Sequence, residues 1–419
     1  MKVIDAICVT STYQKRQQVC FDEVSGLILE VGELKLKADI TYPDECLLFA
    51  GMGDVHIHAR EDVSGKNNYK EDFLTARAAM INGGVTHAGD MPNNPIPPVN
   101  NSSYEAKAHL AEKACGNLWL YAGIGPETKP LSYTVPYKVY MGPSVGELYF
   151  KDLESLDQAL KNYQGQWVSF HCEDPEVLDE HKDAGTHQDR RPVVAEVVAT
   201  RDALMLIEKY KLKGKLCHYS TQEGLNLVRA ARARGVEVML EVTPQHLYFD
   251  LEHMPEEDQA YFQMNPPIRY HLDRSALMEA LKNHEINFLA TDHAPHTAEE
   301  KLKGTSGLTG LDTFAPFVTW LISEGVDPKT IALVTAENPG IFFNNFLPSW
   351  RKISKVFQEM GLGLGFLLPG YRANFTVINL KKPLTVTKNN LKTKVAHSPF
   401  MDKSFPGQVE ALYIGGQKV

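Results

Sequence analysis

The sequence predicts an α/β chain: a (β/α)8 TIM-like barrel carrying a small β-rich domain formed by both chain ends. Three observations predict it. Eight apolar runs, most without in/out alternation, alternate with amphipathic stretches in the middle of the chain. Strands that read this way are buried on both faces of a parallel sheet, and eight of them with helical crossovers in about 250 residues make a closed barrel. Short β-rich segments with turn signals occur only outside that block, at the two ends. The length of 419 residues suits a barrel plus an appendage.

The elements follow in order. Val3 to Thr10, Gln18 to Asp22 and Leu27 to Val31 are β-rich, with a turn at Glu23-Val24-Ser25-Gly26. They form pieces of a sheet that cannot bury itself alone. The barrel runs are Leu47–His58, Gly84–Pro92, Leu118–Gly123, Tyr137–Met141, Trp167–Cys172, Lys215–Tyr219, Val236–Thr243 and Ile286–His293. Helices are expected over Tyr69–Ile81, Ser103–Ala114, Asp152–Tyr163, Pro192–Tyr210, Gln222–Arg234, Arg274–Asn283 and Asp312–Glu324. Pro126–Pro136 has no room for a full helix, so that crossover is degenerate. Ala373–Asn379, Leu384–Thr387 and Val409–Ile414 return to β character and are expected to pair with the N-terminal strands. The domains are then 1–48 plus 360–419, a discontinuous β-sandwich-like unit, and 49–359, the barrel.

Composition excludes several classes. With 43 basic and 52 acidic residues the net charge is −9, which argues against a nucleic-acid surface. Six cysteines are spread without a C-x-x-C pair, the usage of a reduced compartment. No leader segment or membrane span is expected, and the expected location is cytoplasmic.

In a barrel the chemistry sits at the C-terminal ends of the strands. The first run ends in His56-Ile57-His58, two imidazoles on one face of a strand, which is half of a divalent-metal site. The second ends in Asp90-Met91-Pro92-Asn93. The fourth contains Lys138, the fifth ends in His171, the sixth in His218, and the eighth in Asp292-His293-Ala294-Pro295-His296. Singly, each histidine reads as a satisfied core or surface residue. Together they read as converging ligands. Cys172 and Cys217 neighbour ligands and are expected to face away, into the strand–helix layer.

These residues, in this order on these strands, resemble the amidohydrolase superfamily. More narrowly, Asp54–Arg60, Met91-Pro92-Asn93, His171–Asp174, His218–Thr221, Glu241–Pro244, Asn265–Arg269, Asp292–His296 and Gly307–Thr313 resemble the dihydroorotase family. The resemblance implies two Zn2+ ions per chain. His56 and His58 with Asp292 would bind one, His171 and His218 the other, and a carboxylated Lys138 would bridge them. A free ammonium has only donors, whereas a carbamate offers two anionic oxygens. It further implies a hydroxide nucleophile, with Asp292 as proton shuttle, in the reversible conversion of dihydroorotate and N-carbamoyl-L-aspartate in pyrimidine biosynthesis. Arg60, Asn93 and His296 would hold the substrate carboxylate, and Asn265 and the backbone near Gly307 the ring. For partners it implies a homodimer and an association with aspartate transcarbamoylase.

The sequence departs from the family pattern in three places. Glu61-Asp62-Val63-Ser64 follows the arginine where many relatives have a Pro-Gly pair. Gln245 stands where many have a histidine. Ala298–Ser306, expected as a mobile loop, is Lys/Glu-rich. Two readings compete: another cyclic-amide hydrolase, hydantoinase- or allantoinase-like, and a non-catalytic scaffold on the same fold. Arg60 with Asn93 argues against the first, and the complete ligand set against the second.

Overall fold

The structure, a computed structural model, describes residues 1–143, 148–255, 259 and 261–419. Eight parallel strand positions run around a barrel. They are Met52–Ile57, Val85–Asp90, Leu118–Leu120 continued by Ala122–Gly123, Tyr137–Tyr140, Trp167–His171, Lys213–Leu216, Val238–Val242 and Phe288–Leu289. Each pairs in parallel with the next. The third position is interrupted at Tyr121, whose hydroxyl turns inward and donates to the Val55 carbonyl at 2.9 Å. The ring closes between its first and last members. Ile57 forms a parallel bridge with His293, and the His58 amide donates to the His293 carbonyl at 2.7 Å.

The helices lie on the outside, close to their expected ranges: Phe73–Asn82, Asn101–Ala111, Leu153–Leu160, Val193–Tyr210, Gln222–Ala233, His271–Lys282 and Phe314–Ser323. Asp72 starts the first by accepting from the Leu74 and Thr75 amides, the usual work of an N-cap carboxylate. Among the described residues no helix stands between Gly123 and Tyr137, as the two prolines require. No described helix is long and apolar enough to cross a membrane.

The chain ends build one sheet. Its strands include Lys2–Val9, Gln14–Asp22, Leu27–Gly32, Cys46–Ala50, Phe375–Asn379 and Gln408–Ile414. Three expectations need correction here. The run Leu47–His58 is two strands. Cys46–Ala50 pairs with Lys2–Val9 and Phe375–Asn379, and only Met52–Ile57 enters the barrel. Gly51 is the crossing point, where a Cβ would meet Thr86 Oγ1 at 2.5 Å, so the chain passes only because no side chain is there. Continuous apolarity hid the break because both strands are buried on both faces. Second, Leu384–Thr385 pairs with Ser404–Phe405 in a separate ribbon, not with the N-terminal strands. Third, the expected loop Ala298–Ser306 begins as a short helix, Ala298–Leu302, capped by Thr297. Lys301 is buried beneath it and donates to the Gln263, Thr305 and Gly307 carbonyls at 2.8–2.9 Å.

Candidate active site

At the C-terminal rim, His56, His58, Arg60, Asn93, Tyr140, His171, His218, Asn265, Asp292, Ala294, Ser306 and Gly307 line one cavity. Every residue expected from the sequence is at that wall except Lys138 and His296, which lie just behind it. Lys138 is fully buried, with its Nζ over the Tyr140 ring at 5.2 Å. The His296 ring packs behind Gly307, where a Cβ would come within 2.8 Å of His296 Cδ2.

Backbone geometry aims the side chains. The strands stop just short of the site, and Arg60, His218 and Asp292 have φ of 63°, 37° and 47°. Left-handed backbone is unfavourable for side chains with a Cβ, and it persists only where the surroundings fix it. It also overturns one expectation. Cys217 faces inward: its Sγ lies within 4.8 Å of ligand atoms of His56 and Glu241. Lys215 and Cys217 take the inward positions by alternation, and the reversed φ of His218 brings the next residue inward as well. Cys172 packs in the apolar core as expected.

The imidazoles are held so that one nitrogen of each is free towards its neighbours. His56 Nδ1 donates to Glu241 Oε1 at 2.6 Å and His58 Nδ1 to Asn93 Oδ1 at 2.7 Å. Their Nε2 atoms then stand 3.2 and 3.0 Å from Asp292 Oδ1. His171 Nε2 lies 3.0 Å from Glu173 Oε2, which leaves Nδ1 facing His218 Nε2 at 3.0 Å. Such outer partners fix tautomer and ring orientation at metal sites. Burial, the largest effect, pushes His56 down to about 4 and also lowers His58, His171 and His218; the Lys138 charge adds to this at His56, His171 and His218. These imidazoles are neutral and carry lone pairs. Burial alone would raise Asp292, but the neighbouring His56 and His58 outweigh it and hold the carboxyl below its usual range.

The donor set fits divalent cations. Lys138 Nζ and His218 Nδ1 are buried with no hydrogen-bond partner. Such atoms are costly unless something engages them. A carbamate at Lys138 would replace the unpaired ammonium with anionic oxygens among the four imidazoles. His56, His58 and Asp292 offer converging ligand atoms. Another grouping, Asp250 with His253 and His271, is at the surface, where Arg274 already holds the carboxylate at 2.9 Å.

Sequence reasoning missed the supporting carboxylates. Glu241 joins His56, the His218 amide and Lys215, and Glu173 joins His171 and Arg191. Burial alone would raise both, but cationic and imidazole partners reverse this, taking Glu173 to about 2 and Glu241 well below the usual range. Alternation offered one signal, since Glu173 is two residues past His171. Asn93, expected to touch substrate, is also the partner of His58. Gln245, at the departure noted above, is buried with both amide atoms unpartnered. Arg60 is 3% exposed; it donates to the Pro295 carbonyl, and its Nη2 lies 3.0 Å from His296 Nε2. Its neighbours Glu61 and Asp62 point elsewhere, to Lys113 and to the Ile96 amide.

No family model matches the chain. It is 31% identical to the dihydroorotase of Bacillus caldolyticus over 417 residues, covering 94% of this chain and 91% of that one. The dihydroorotase of Geobacillus kaustophilus is 32% identical over 398 residues, 89% of this chain and 87% of its own. That of Pyrococcus furiosus is 29% identical over 396 residues, 93% and 84%. Among solved structures, L-hydantoinase (dihydropyrimidinase) from Arthrobacter aurescens superposes with a TM-score of 0.84 at 20% identity, covering all of this chain and 95% of its own. D-hydantoinase from Thermus sp. gives 0.82 at 18% with the same coverage. These two share the barrel and its appended sheet. With sequence identity above 30% along nearly its whole length, the chain belongs to the dihydroorotase family of metal-dependent cyclic amidohydrolases.

Proposed function

We propose that the protein is a dihydroorotase, interconverting dihydroorotate and N-carbamoyl-L-aspartate in pyrimidine biosynthesis. The observation that carries this over a hydantoinase reading is Arg60. It is a buried guanidinium at the cavity wall with no carboxylate within 4 Å among the described residues. A planar fork held in this way suits a substrate carboxylate, which dihydroorotate carries and simple hydantoins lack.

His56, His58 and Asp292 would hold one zinc ion and His171 and His218 a second, with carboxylated Lys138 shared between them. Bound there, zinc supplies an acidified water and a polarised amide carbonyl. The chain's own residues do the rest. Asp292 Oδ1 is turned to the Nε2 atoms of His56 and His58, where the cation would sit, which leaves Oδ2 to take the proton of the attacking water. As the new C–O bond forms and the ring C–N bond breaks, the same oxygen returns that proton to the departing nitrogen. Glu241 and Asn93 keep His56 and His58 in the required tautomers. Asn265, whose Oδ1 has no partner, and the Gly307 backbone face the ring.

The test is turnover of dihydroorotate, hydantoin and allantoin side by side by zinc-loaded protein. Dihydroorotate should be preferred by at least about a hundredfold in kcat/KM, as a site built for a polar group discriminates against substrates lacking it. Preference for either other ring overturns the proposal.

A further inference from the structure

His296 is caught between two cations. Arg60 Nη2 lies 3.0 Å from its Nε2, and Lys70 Nζ lies 3.2 Å from its Nδ1. The ring is 1% exposed. Burial first, then the Arg60 and Lys70 charges, push it down to about 2, so it is neutral. A neutral imidazole has one lone pair and one N–H, and both groups facing it carry only donors. One of the two approaches therefore opposes donor to donor.

The surroundings decide which. Lys70 is itself buried and pinned: Glu300 Oε1 takes its ammonium at 2.9 Å, and Tyr69 donates to the same oxygen at 2.7 Å. The Nδ1 atom has one further acceptor in range, Glu300 Oε2, but at 3.5 Å that is too long for a sound hydrogen bond. Nδ1 is therefore the lone pair that receives Lys70, and Nε2 carries the hydrogen. Nε2–H and the Arg60 N–H then oppose one another across 3.0 Å. Buried donors without an acceptor are costly. One carboxylate oxygen beside the pair, about 2.8 Å from each nitrogen, would accept from both.

We propose that Lys70 is a positioning residue for substrate recognition: it fixes His296 as the Nε2–H tautomer, so that His296 and Arg60 present paired donors to a carboxylate. The inference rests on the dihydroorotase reading. It adds a residue that does not line the cavity and that acts only through His296. The neighbouring residues agree with this placement. The Tyr69 hydroxyl donates to Glu300, Glu71 Oε2 lies 3.3 Å from His293 Nε2, and Asp72 caps the start of the first helix.

The experiment uses full-length zinc-loaded protein labelled with 15N-histidine. The His296 signal is identified by its loss in His296→Gln. In the wild type the expected pattern is protonated Nε2 and unprotonated Nδ1, and Lys70→Met should shift it towards the other tautomer. In kinetics, Lys70→Met should raise KM for dihydroorotate about tenfold with kcat within about twofold, the signature of lost binding rather than lost chemistry. It should leave kcat/KM for the carboxylate-free ring dihydrouracil within about twofold, and Lys70→Arg should recover most of the loss. A wild-type His296 protonated at Nδ1, or an equal loss on both rings, overturns the proposal. If Lys70→Met does not fold, the wild-type tautomer and Lys70→Arg still decide. If the wild type fails to turn over dihydroorotate, the functional reading falls, whereas the tautomer is judged from the nitrogen signals alone.

Discussion

His56 Nδ1 donates to Glu241 Oε1 across 2.6 Å, and the other oxygen of that carboxylate holds the buried Lys215. One side chain therefore orients an imidazole at the cavity and neutralises a lysine at the centre of the barrel. Glu241→Gln keeps the shape but removes the charge. Breaking one partner of a buried pair costs about 3–5 kcal/mol. Loss of an outer partner of a metal ligand weakens metal binding by about 10–100-fold. Urea unfolding and zinc titration of the variant measure the two effects separately. An unchanged zinc affinity would mean that His56 keeps its orientation without Glu241.

Lys138 has an unpartnered, fully buried Nζ whose charge acts on His56, His171 and His218. Lys138→Ala should abolish most activity and cut the bound zinc. Short carboxylic acids should restore part of it, because they resupply the two oxygens of the missing bridge. No rescue at any acid concentration, with two zinc ions still bound, would argue that the lysine acts unmodified.

Arg60→Met should lose about 2–4 kcal/mol of transition-state binding for dihydroorotate, the range for removing one side of a buried charged pair. Dihydrouracil should be affected far less. Steady-state kinetics of both rings on both proteins settle the point. Equal losses would reduce Arg60 to a support for the Pro295 turn.

His246 is fully buried. The Thr243 hydroxyl donates to its Nδ1 at 2.9 Å, and its Nε2 donates to the Pro266 and Pro267 carbonyls at 3.2 Å. Burial, then Arg269, push it down to about 4 from the ordinary 6.5. A depressed folded-state value means that the fold favours the neutral ring. Its contribution is complete above pH 6.5 and is lost as pH falls from there through about 4, on the order of 3 kcal/mol in all. His246→Gln should lower stability at pH 7.5 and flatten the loss between pH 6.5 and 4. Urea midpoints of both proteins at pH 7.5, 5.5 and 4.5 test this. Parallel pH curves for the two proteins would exclude His246 as a source of acid lability.

The barrel and the inner histidines were legible because each leaves a local mark. Strands buried on both faces read as unbroken apolar runs, and His-x-His places two rings on one face without reference to anything distant. What escaped depends on contacts between remote segments. Glu241 is 185 residues from His56, and although it stands in an apolar run, nothing near it in the chain says which imidazole it would hold. That Cys217 and His218 both face inward depends on a left-handed backbone angle at His218, which alternation cannot anticipate. The break at Gly51 depends on what Thr86 and Asn374 place beside it.

The parallel bridge between Ile57 and His293 closes the barrel between segments that carry His58 and Asp292, 234 residues apart. Bringing the ends of so long a span together costs on the order of 5 kcal/mol in chain entropy. The bridge, its amide bond and the bonds from the Thr291 amide and hydroxyl to the Asp54 carboxylate repay only part of this. A cation held jointly by His56, His58 and Asp292 would fasten the same two segments, acting as a cross-link tied by coordination. The last step of assembly and the loading of the enzyme would then be one event, and a chain starved of metal would fail first along this seam.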